Sequence, residues 1–205
     1  MSTARRSLVL LTAAALIGTV AHAQSTAVGT VAHTQSTALD THTSRVSLAL
    51  TYDTQGSNLT TTNRFWLQGG AAELTAAVFH GVGATATVLG LHSANSGGGV
   101  PLNLVTFAFG PSYTYTHHHG AHSLSIFAHG LVGEADGFHG TYPGPNGPLP
   151  SASSLAVLAG GGIDLGLSHH LAVRIVQADY VRTQLPNSLT NVQNSLRLGI
   201  GIVLR

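Results

Sequence analysis

The most constraining feature of the sequence is a two-residue alternation of apolar with small or polar side chains, which recurs from residue 44 onward. In residues 104–116, Val105, Phe107 and Phe109 fall on one face, and Thr106 and Ala108 fall on the other. A period of two is the period of a β-strand, whereas an amphipathic helix repeats every three to four residues. The alternation therefore predicts a protein built from β-sheet.

Eight segments of this kind can be recognised, and their connections alternate in length. The predicted strands cover residues 45–54, 64–78, 82–93, 103–116, 121–134, 153–166, 169–183 and 193–204. The long connections are 55–63, 94–102, 135–152 and 184–192, and the short ones are 80–81, 117–120 and 167–169. Short turns at one end and longer loops at the other are typical of an outer-membrane up-and-down barrel. We expect 135–152 to be an irregular loop, because it is rich in Gly and Pro.

The polarity of the two strand faces distinguishes a lipid-facing barrel from a soluble sheet. In the sixth strand Leu155, Val157 and Ile163 share one face, which would be the buried core of a secreted sandwich or lipocalin-like barrel. The opposite faces of such a protein should then be charged, but here they are mostly Gly, Ala, Ser and Thr. Only 7% of all residues are charged, against roughly 25% in an average globular protein. We therefore predict an all-β protein, an eight-stranded antiparallel up-and-down transmembrane β-barrel.

The N-terminal residues differ from the rest of the chain. Arg5 and Arg6 precede an apolar stretch that ends at a small-x-small sequence, Ala21-His22-Ala23. This order predicts a secretory signal peptide over residues 1–23 that is cleaved. Residues 24–43 contain a Ser/Thr/Ala-rich repeat that cannot bury a core, so we expect a flexible leader there and the barrel over 44–205.

Several segments resemble the small eight-stranded outer-membrane β-barrel proteins of Gram-negative bacteria, the OmpA-like group of the porin superfamily. The segments are FWLQGGAAEL, FAFGPSYTYT, LAGGGIDLGLSHHLAVRIVQADYVRT and the ending RLGIGIVLR. The resemblance implies that Arg197, Gly199, Ile202 and Leu204 form the last-strand signal read by the barrel assembly machinery. Family members usually end on an aromatic residue, whereas this sequence ends on Leu204-Arg205. The resemblance also implies an outer-membrane location, outer-membrane lipid as partner and periplasmic chaperones during transit.

Charged residues within the strands should face the lumen, because an Arg on the lipid face costs roughly 2–4 kcal/mol at the membrane midplane. In the seventh strand this requires a bulge near Ile175-Val176, after which Gln177 and Asp179 point inward with Arg174. The interior of an eight-stranded barrel is filled by side chains, so we predict a structural charge network rather than an ion path. Its predicted members are Asp53, Glu73, Asp164, Arg174, Asp179, Arg182 and Arg197.

Histidine is unusually common, with 13 copies. Seven lie in or beside the predicted short turns: His80, His117, His118, His119, His122, His169 and His170. Neutral imidazole binds Zn, Cu or Ni, so such a cluster could hold a metal or respond to pH. The alternative is that His simply replaces Lys and Asn in solvated turns. We predict no metal site and no cofactor.

Catalysis has one weak candidate, the segment LHSANS with His92, Ser93, Asn95 and Ser96. It faintly resembles the His, Ser and acid of outer-membrane lipid-A deacylases, but the nearest acid, Glu73, is expected to face the lumen. The net charge of +1 gives no support for nucleic-acid binding. The sequence therefore predicts a non-enzymatic outer-membrane protein with an envelope-structural or surface-contact role. A lipid-A-modifying enzyme and a narrow pore are the alternatives, and the oligomeric state is left open.

Overall fold

The computed structural model describes residues 46–59, 64–94, 100–119, 122–144, 147–187 and 191–205. The predicted signal peptide at 1–23 and the predicted leader at 24–43 lie outside these residues. Eight strands form one closed barrel in sequence order, each antiparallel to both of its neighbours. The last strand pairs with the first, for example Leu50 opposite Ile202. The predicted all-β, eight-stranded antiparallel up-and-down architecture is confirmed.

The strand boundaries follow the predicted alternation closely at most positions. The strands are β1 (Val46–Ser57), β2 (Phe65–Phe79), β3 (Val82–Ser93), β4 (Leu102–His119), β5 (His122–Tyr142), β6 (Leu149–Gly166), β7 (Leu171–Thr183) and β8 (Gln193–Leu204). We call the end with the β2–β3, β4–β5 and β6–β7 connections the turn end, and the opposite end the loop end. Among the described residues no helix is long and apolar enough to cross a membrane.

Alternation along each strand separates an apolar outer surface from a buried interior. On β1, Leu50 and Tyr52 are exposed, whereas Thr51 and Asp53, which alternate with them, are buried. On β8, Leu198 and the outward residues after it are exposed. Successive side chains of a strand point to opposite faces, so the closed barrel turns one face of every strand outward. The outward direction that the sequence predicts for Phe107, Phe109, Leu155 and Val157 is confirmed.

The β5–β6 hairpin contradicts the prediction that 135–152 is an irregular loop. Most of this segment is strand, because β5 continues to Tyr142 and β6 begins at Leu149. Phe138 pairs with Ser151, and Tyr142 pairs with Leu149 after a shift of register. The Tyr142 side chain is only 2% exposed. Burial of this ring gives the Gly-rich segment an apolar anchor that outweighs the weak strand propensity of glycine.

The predicted bulge in β7 is present. The register of β7 against β8 shifts between Arg174 and Gln177. Ile175 and Val176, although consecutive, are both exposed, while Arg174 and Gln177 on either side are buried. One extra residue in a strand reverses the faces of all residues that follow. The bulge thereby brings Arg174, Gln177 and Asp179 to the interior together.

The interior contains a large apolar layer, a polar layer and, nearest the turn end, a small apolar group of Ala49, Ala172 and Val203. On β3, Leu89 and Leu91 lie nearer the loop end than the buried Thr85 and Thr87. On β7, Val181 follows the polar interior residues toward the loop end. We call the apolar cluster the leucine layer; its buried members are Leu59, Leu67, Ala71, Leu89, Leu91, Leu102, Leu104, Ala108, Leu131, Ala135, Tyr142, Ala156, Leu158, Val181 and Leu185. The prediction that inward positions are mostly Ser, Thr, Gly and charged is therefore wrong for the leucine layer. At the loop end of β1, β7 and β8 the buried residues are polar, for example Gln55, Thr183 and Gln193.

Candidate functional site: an ion network inside the barrel

The polar layer of the interior contains a connected set of charged side chains, which we call the ion network. It includes six of the seven charged residues that the sequence assigns to the lumen. Two further members, His129 on β5 and Gln177 on β7, complete it. The members are Asp53, Glu73, His129, Asp164, Arg174, Gln177, Asp179 and Arg197, and all of them are buried.

Arg174 joins two acidic residues near the turn end. Its Nε donates to Asp164 Oδ1 at 2.9 Å, and its Nη2 donates to Asp164 Oδ2 at 3.3 Å. Its Nη1 donates to Glu73 Oε1 at 2.7 Å. The guanidinium carbon also lies 4.0 Å from the centroid of the Phe127 ring. The planar fork of Arg permits this bidentate pairing together with a cation–π contact, so one side chain connects β7 with β2, β5 and β6.

Arg197 performs the corresponding role closer to the leucine layer. Its Nε donates to Asp53 Oδ1 at 2.7 Å, and its Nη1 donates to Asp179 Oδ2 at 3.0 Å. The Arg197 side chain and both carboxylates are 0% exposed. Thr51 Oγ1 donates to the second oxygen of Asp53 at 2.6 Å. Desolvation makes a buried charge costly unless it is paired and hydrogen-bonded, and Asp53 meets both conditions.

His129 and Gln177 connect the two arginine clusters. His129 Nε2 lies 2.9 Å from Asp179 Oδ1, and His129 Nδ1 lies 3.8 Å from Glu73 Oε2. Gln177 accepts from Arg174 Nη1 at 2.8 Å and donates to Asp179 Oδ2 at 2.9 Å. The sequence analysis missed His129 as a member, although strict alternation between Phe127 and Leu131 could have placed it inside.

The network contains more acid than fixed base. Four carboxylates, those of Asp53, Glu73, Asp164 and Asp179, face two guanidinium groups. His129 is the only other titratable group that these ion pairs include. In a low-dielectric interior, excess charge of one sign is unfavourable. The His129 imidazole lies between two of these carboxylates, those of Glu73 and Asp179.

Arg182 does not belong to the network, contrary to the prediction. Its side chain is exposed on the outer face of β7, two positions after the outward Tyr180. The phase reversal at the bulge, which turns Asp179 inward, turns Arg182 outward by the same alternation. Arg182 lies one residue before the end of β7 at the loop end, and the cost of an outward charge falls to about 0–1 kcal/mol near the membrane interface.

The four residues of the predicted last-strand signal lie on both faces of β8. Arg197 is inside the network, and Ile202 and Leu204 are exposed outside. Gly199 faces the interior, where an added Cβ would lie 2.5 Å from Asp53 Oδ1 and 3.7 Å from Gln177 Cβ. The absence of a side chain at Gly199 therefore makes room for the Asp53 carboxylate. Whether these residues are read during assembly stays a prediction.

The catalytic candidate LHSANS is split between the two faces of β3. His92 is exposed on the outer face, whereas Ser93 is 7% exposed and faces the interior. His92 Nδ1 instead lies 2.7 Å from Asn103 Oδ1, and the Asn103 amide nitrogen lies 2.9 Å from His139 Nδ1. A serine nucleophile needs its base within hydrogen-bond reach, so this arrangement is not that of a nucleophile and its base. Asn95 and Ser96 lie outside the described residues.

The turn-end histidines lie in or beside the connections where the sequence places them. His80 occupies the two-residue β2–β3 turn with Gly81, and His169 and His170 precede β7. His117 and His118 are exposed near the end of β4. Within the described residues, no group of three or more His, Asp or Glu side chains is arranged to hold a metal ion.

The chain is similar to known proteins in its fold but not detectably in its sequence. No protein-family model matches the chain, and no curated protein sequence matches it either. Among solved structures, Neisserial surface protein A superposes with a TM-score of 0.55 at 10% identity, covering 78% of this chain and 97% of that one. The chain has the fold of a small outer-membrane β-barrel. At this identity the comparison establishes the fold alone.

Two further structures have the same kind of barrel at lower similarity. Ail of Yersinia pestis, solved in complex with the heparin analogue sucrose octasulfate, has a TM-score of 0.45 at 13% identity and covers 77% of this chain and 97% of its own. The N-terminal β-barrel domain of OprF from Pseudomonas aeruginosa has a TM-score of 0.42 at 11% identity, with coverage of 77% and 96%.

Proposed function

We propose that this protein is an integral outer-membrane β-barrel of a Gram-negative bacterium with a non-enzymatic, envelope-structural or surface-contact role. The observation that carries the proposal is the continuous apolar outer surface of the barrel. On β8 every outward residue from Leu196 to Leu204 is apolar and exposed. Eight steps of about 3.4 Å, tilted by about 35–45°, give a band roughly 20 Å tall. Exposed apolar surface on this scale is unsuited to water and matches the hydrocarbon of a bilayer.

The edges of this band support the same interpretation. Toward the loop end, Tyr180 pairs with Leu196 at the edge of the band, and its Oη donates to Asn194 Oδ1 at 2.6 Å. Toward the turn end, Tyr113 is exposed on the outer face of β4. Aromatic girdles at both interfaces are typical of membrane barrels, because an amphipathic ring suits the boundary between lipid and water.

The same proposal includes the N-terminal segments and the route to the membrane. Residues 1–23 would direct export and be cleaved, residues 24–43 would remain as a leader, and periplasmic chaperones would carry the chain. The assembly machinery would then recognise β8, with Leu204 as its last outward residue in place of the usual aromatic one. Closure of β8 on β1 over nine residue pairs supports a role for this strand in the final step of assembly.

A structural role is favoured over a pore by the filling of the interior. The leucine layer occupies the loop half of the barrel, with Leu67, Leu89 and Leu158 each 0% exposed. The ion network lies on the turn side of this layer and consists of paired charges. An ion crossing the barrel would have to displace well-packed leucine side chains. The interior therefore supports a scaffold that holds the barrel closed.

A surface-contact role is supported by the length of the β5–β6 hairpin. β6 pairs with β7 only from Ala156 onward, so residues 149–155 extend beyond the end of that pairing. On the other side, β5 pairs with β4 only as far as Phe138. The hairpin thus projects past its neighbours at the loop end, where extracellular contacts of such barrels are made.

The experiment that tests the proposed function is fractionation of cells expressing the full chain, followed by a gel comparison of unheated and boiled outer membranes. We expect the protein in the outer-membrane fraction, with slower or faster migration before boiling than after it. A soluble periplasmic protein whose migration does not change on boiling would refute the lipid-facing assignment. Mass spectrometry of the mature N-terminus would test cleavage after Ala23.

A further inference from the structure

The turn end of the barrel carries an exposed group of imidazoles, which we call the histidine rim. Its members are His80, His117, His118, His169 and His170. They come from three separate connections or strand ends, and all five are exposed. The proposed function gives this rim no task.

Backbone hydrogen bonds hold the rim connections against the barrel. Thr114 N donates to Gly81 O at 2.8 Å, which joins the β2–β3 turn to β4. Arg205 N donates to His170 O at 3.0 Å, which joins the β6–β7 connection to the end of β8. His80 has a φ of 46° beside Gly81 at 84°, the left-handed pair that a two-residue hairpin turn requires. The imidazoles are therefore presented by anchored backbone.

The rim has very little fixed charge in the described part of the chain. Its exposed positions include no Asp, Glu or Lys there. Arg205 is partly buried, and its guanidinium donates to Ser125 Oγ at 3.0 Å. The nearest interior charges, Asp164 and Arg174, are buried and paired with each other. Other titratable groups on the described strand ends are Tyr113 and Tyr115. The charge of this rim therefore depends mainly on its imidazoles, and histidine is in general the side chain that responds to pH in the physiological range.

The rim lies at the border of the apolar outer surface. Val78 and Phe79 directly precede His80 and are 78% and 68% exposed. The Phe79 ring lies with its centroid 3.7 Å from that of His80. Leu167, two residues before His169, is 48% exposed. Side chains that directly follow the apolar band are at the depth of lipid headgroups.

We propose that the histidine rim is a pH-dependent contact for anionic phospholipid headgroups. Protonated imidazoles at that depth would donate charge-assisted hydrogen bonds to phosphodiester oxygens, and no Asp or Glu side chain among the described rim residues competes for them. Neutral imidazoles lack the charge, so the preference for anionic lipid disappears as pH rises. The inference rests on the proposed membrane location. It adds that the rim prefers anionic phospholipids and that this preference requires low pH.

The test uses the full-length mature chain refolded into vesicles of phosphatidylcholine alone or with one part in five of phosphatidylglycerol, with EDTA present throughout. Urea unfolding is followed at pH 5.5 and at pH 8. The rim variant carries His80→Asn, because Asn tolerates a positive φ, and Gln at the other four positions. The matched control carries His92→Gln and His139→Gln, which remove two exposed imidazoles at the loop end.

At pH 5.5 we expect phosphatidylglycerol to raise the folding equilibrium constant at least about tenfold, since each surface cation adds a favourable contribution near anionic lipid. The gain should disappear at pH 8 and in the rim variant, and it should persist in the control. An equal gain at both pH values, or a gain retained by the rim variant, overturns the inference alone. Failure of the wild-type chain to insert and show heat-modifiable migration in either vesicle overturns the proposed function as well.

Discussion

Arg174 Nη1 lies 2.7 Å from Glu73 Oε1, although 101 residues separate the two in sequence. The pair connects β7 to β2 across the interior, and neither side chain is more than 5% exposed. Both partners are buried, so the loss of Arg174 leaves the carboxylates of Glu73 and Asp164 without their guanidinium group. We therefore expect the ion network to contribute to the free energy of unfolding of the barrel, independently of the protein's function.

We expect Arg174→Met to destabilise the barrel by about 3–5 kcal/mol, because it leaves Glu73 and Asp164 buried without their cation. The measurement is urea unfolding in vesicles, followed by tryptophan fluorescence. Arg182→Met is the matched control, since Arg182 is exposed on the outside of the same strand; it should change stability by less than about 1 kcal/mol. Equal effects of the two substitutions would show that the internal pairing does not stabilise the barrel.

We expect Gly199→Ala to destabilise the barrel by displacing Asp53 from Arg197. The added Cβ would lie 2.5 Å from Asp53 Oδ1, and overpacking of this kind typically costs about 1–3 kcal/mol. The double variant Gly199→Ala with Asp53→Ser should lose less than the sum of the two single changes, because Ser removes the atom that clashes. Additive losses in such a cycle would contradict the proposed contact. Gly130→Ala, at a glycine with open space around it, provides the control.

We expect His129→Leu to destabilise the barrel more than His129→Gln. Leu is similar in volume but provides no donor, so Asp179 would lose the partner that lies 2.9 Å away. An unsatisfied buried polar group costs about 1–3 kcal/mol, and more if it is charged. Gln keeps an amide that can donate to one carboxylate. If both variants unfold at the same urea concentration, the imidazole acts only as filling.

The sequence predicted the parts of the structure that depend on alternation. These parts are the strand order, the outward apolar faces and the β7 bulge. They follow once each residue is assigned to the inner or outer face so that charged side chains avoid lipid. The bulge in particular could be inferred because Arg174 and Asp179 differ in parity, and only an extra residue between them allows both to face inward.

Features that depend on contacts across the barrel could not be read from the sequence. Nothing local to residue 129 shows that it meets Asp179, which lies 50 positions further along. The same holds for the leucine layer, whose members come from strands β2 to β7 and from two connections. The Gly and Pro residues of 135–152 indicated a loop. The strand there was missed because the burial of Tyr142 depends on its tertiary surroundings, which the local sequence does not show.

The leucine layer predicts that the barrel does not conduct ions. In planar bilayers we expect the wild-type protein to give no resolved single-channel steps, because side chains such as Leu89 and Leu158 fill the loop half of the interior. The double variant Leu89→Ser and Leu158→Ser should produce openings if the layer is the barrier. Leu50→Ser and Ile202→Ser, at outward positions, provide the matched control. Regular conductance steps from the wild-type protein would instead support the narrow-pore alternative.

Tyr142 predicts the stability of the β5–β6 hairpin. Its ring occupies the space left by Gly137 and Gly140, where added Cβ atoms would meet the ring or its hydroxyl. We expect Tyr142→Ala to speed amide hydrogen exchange in the 136–153 segment by at least about tenfold, since truncating a buried aromatic side chain costs about 3–5 kcal/mol locally. Tyr142→Phe keeps the ring and should leave exchange nearly unchanged. Exchange that is fast in the wild-type hairpin, or equal in the Ala and Phe variants, would mean that Tyr142 does not hold this projecting segment to the barrel.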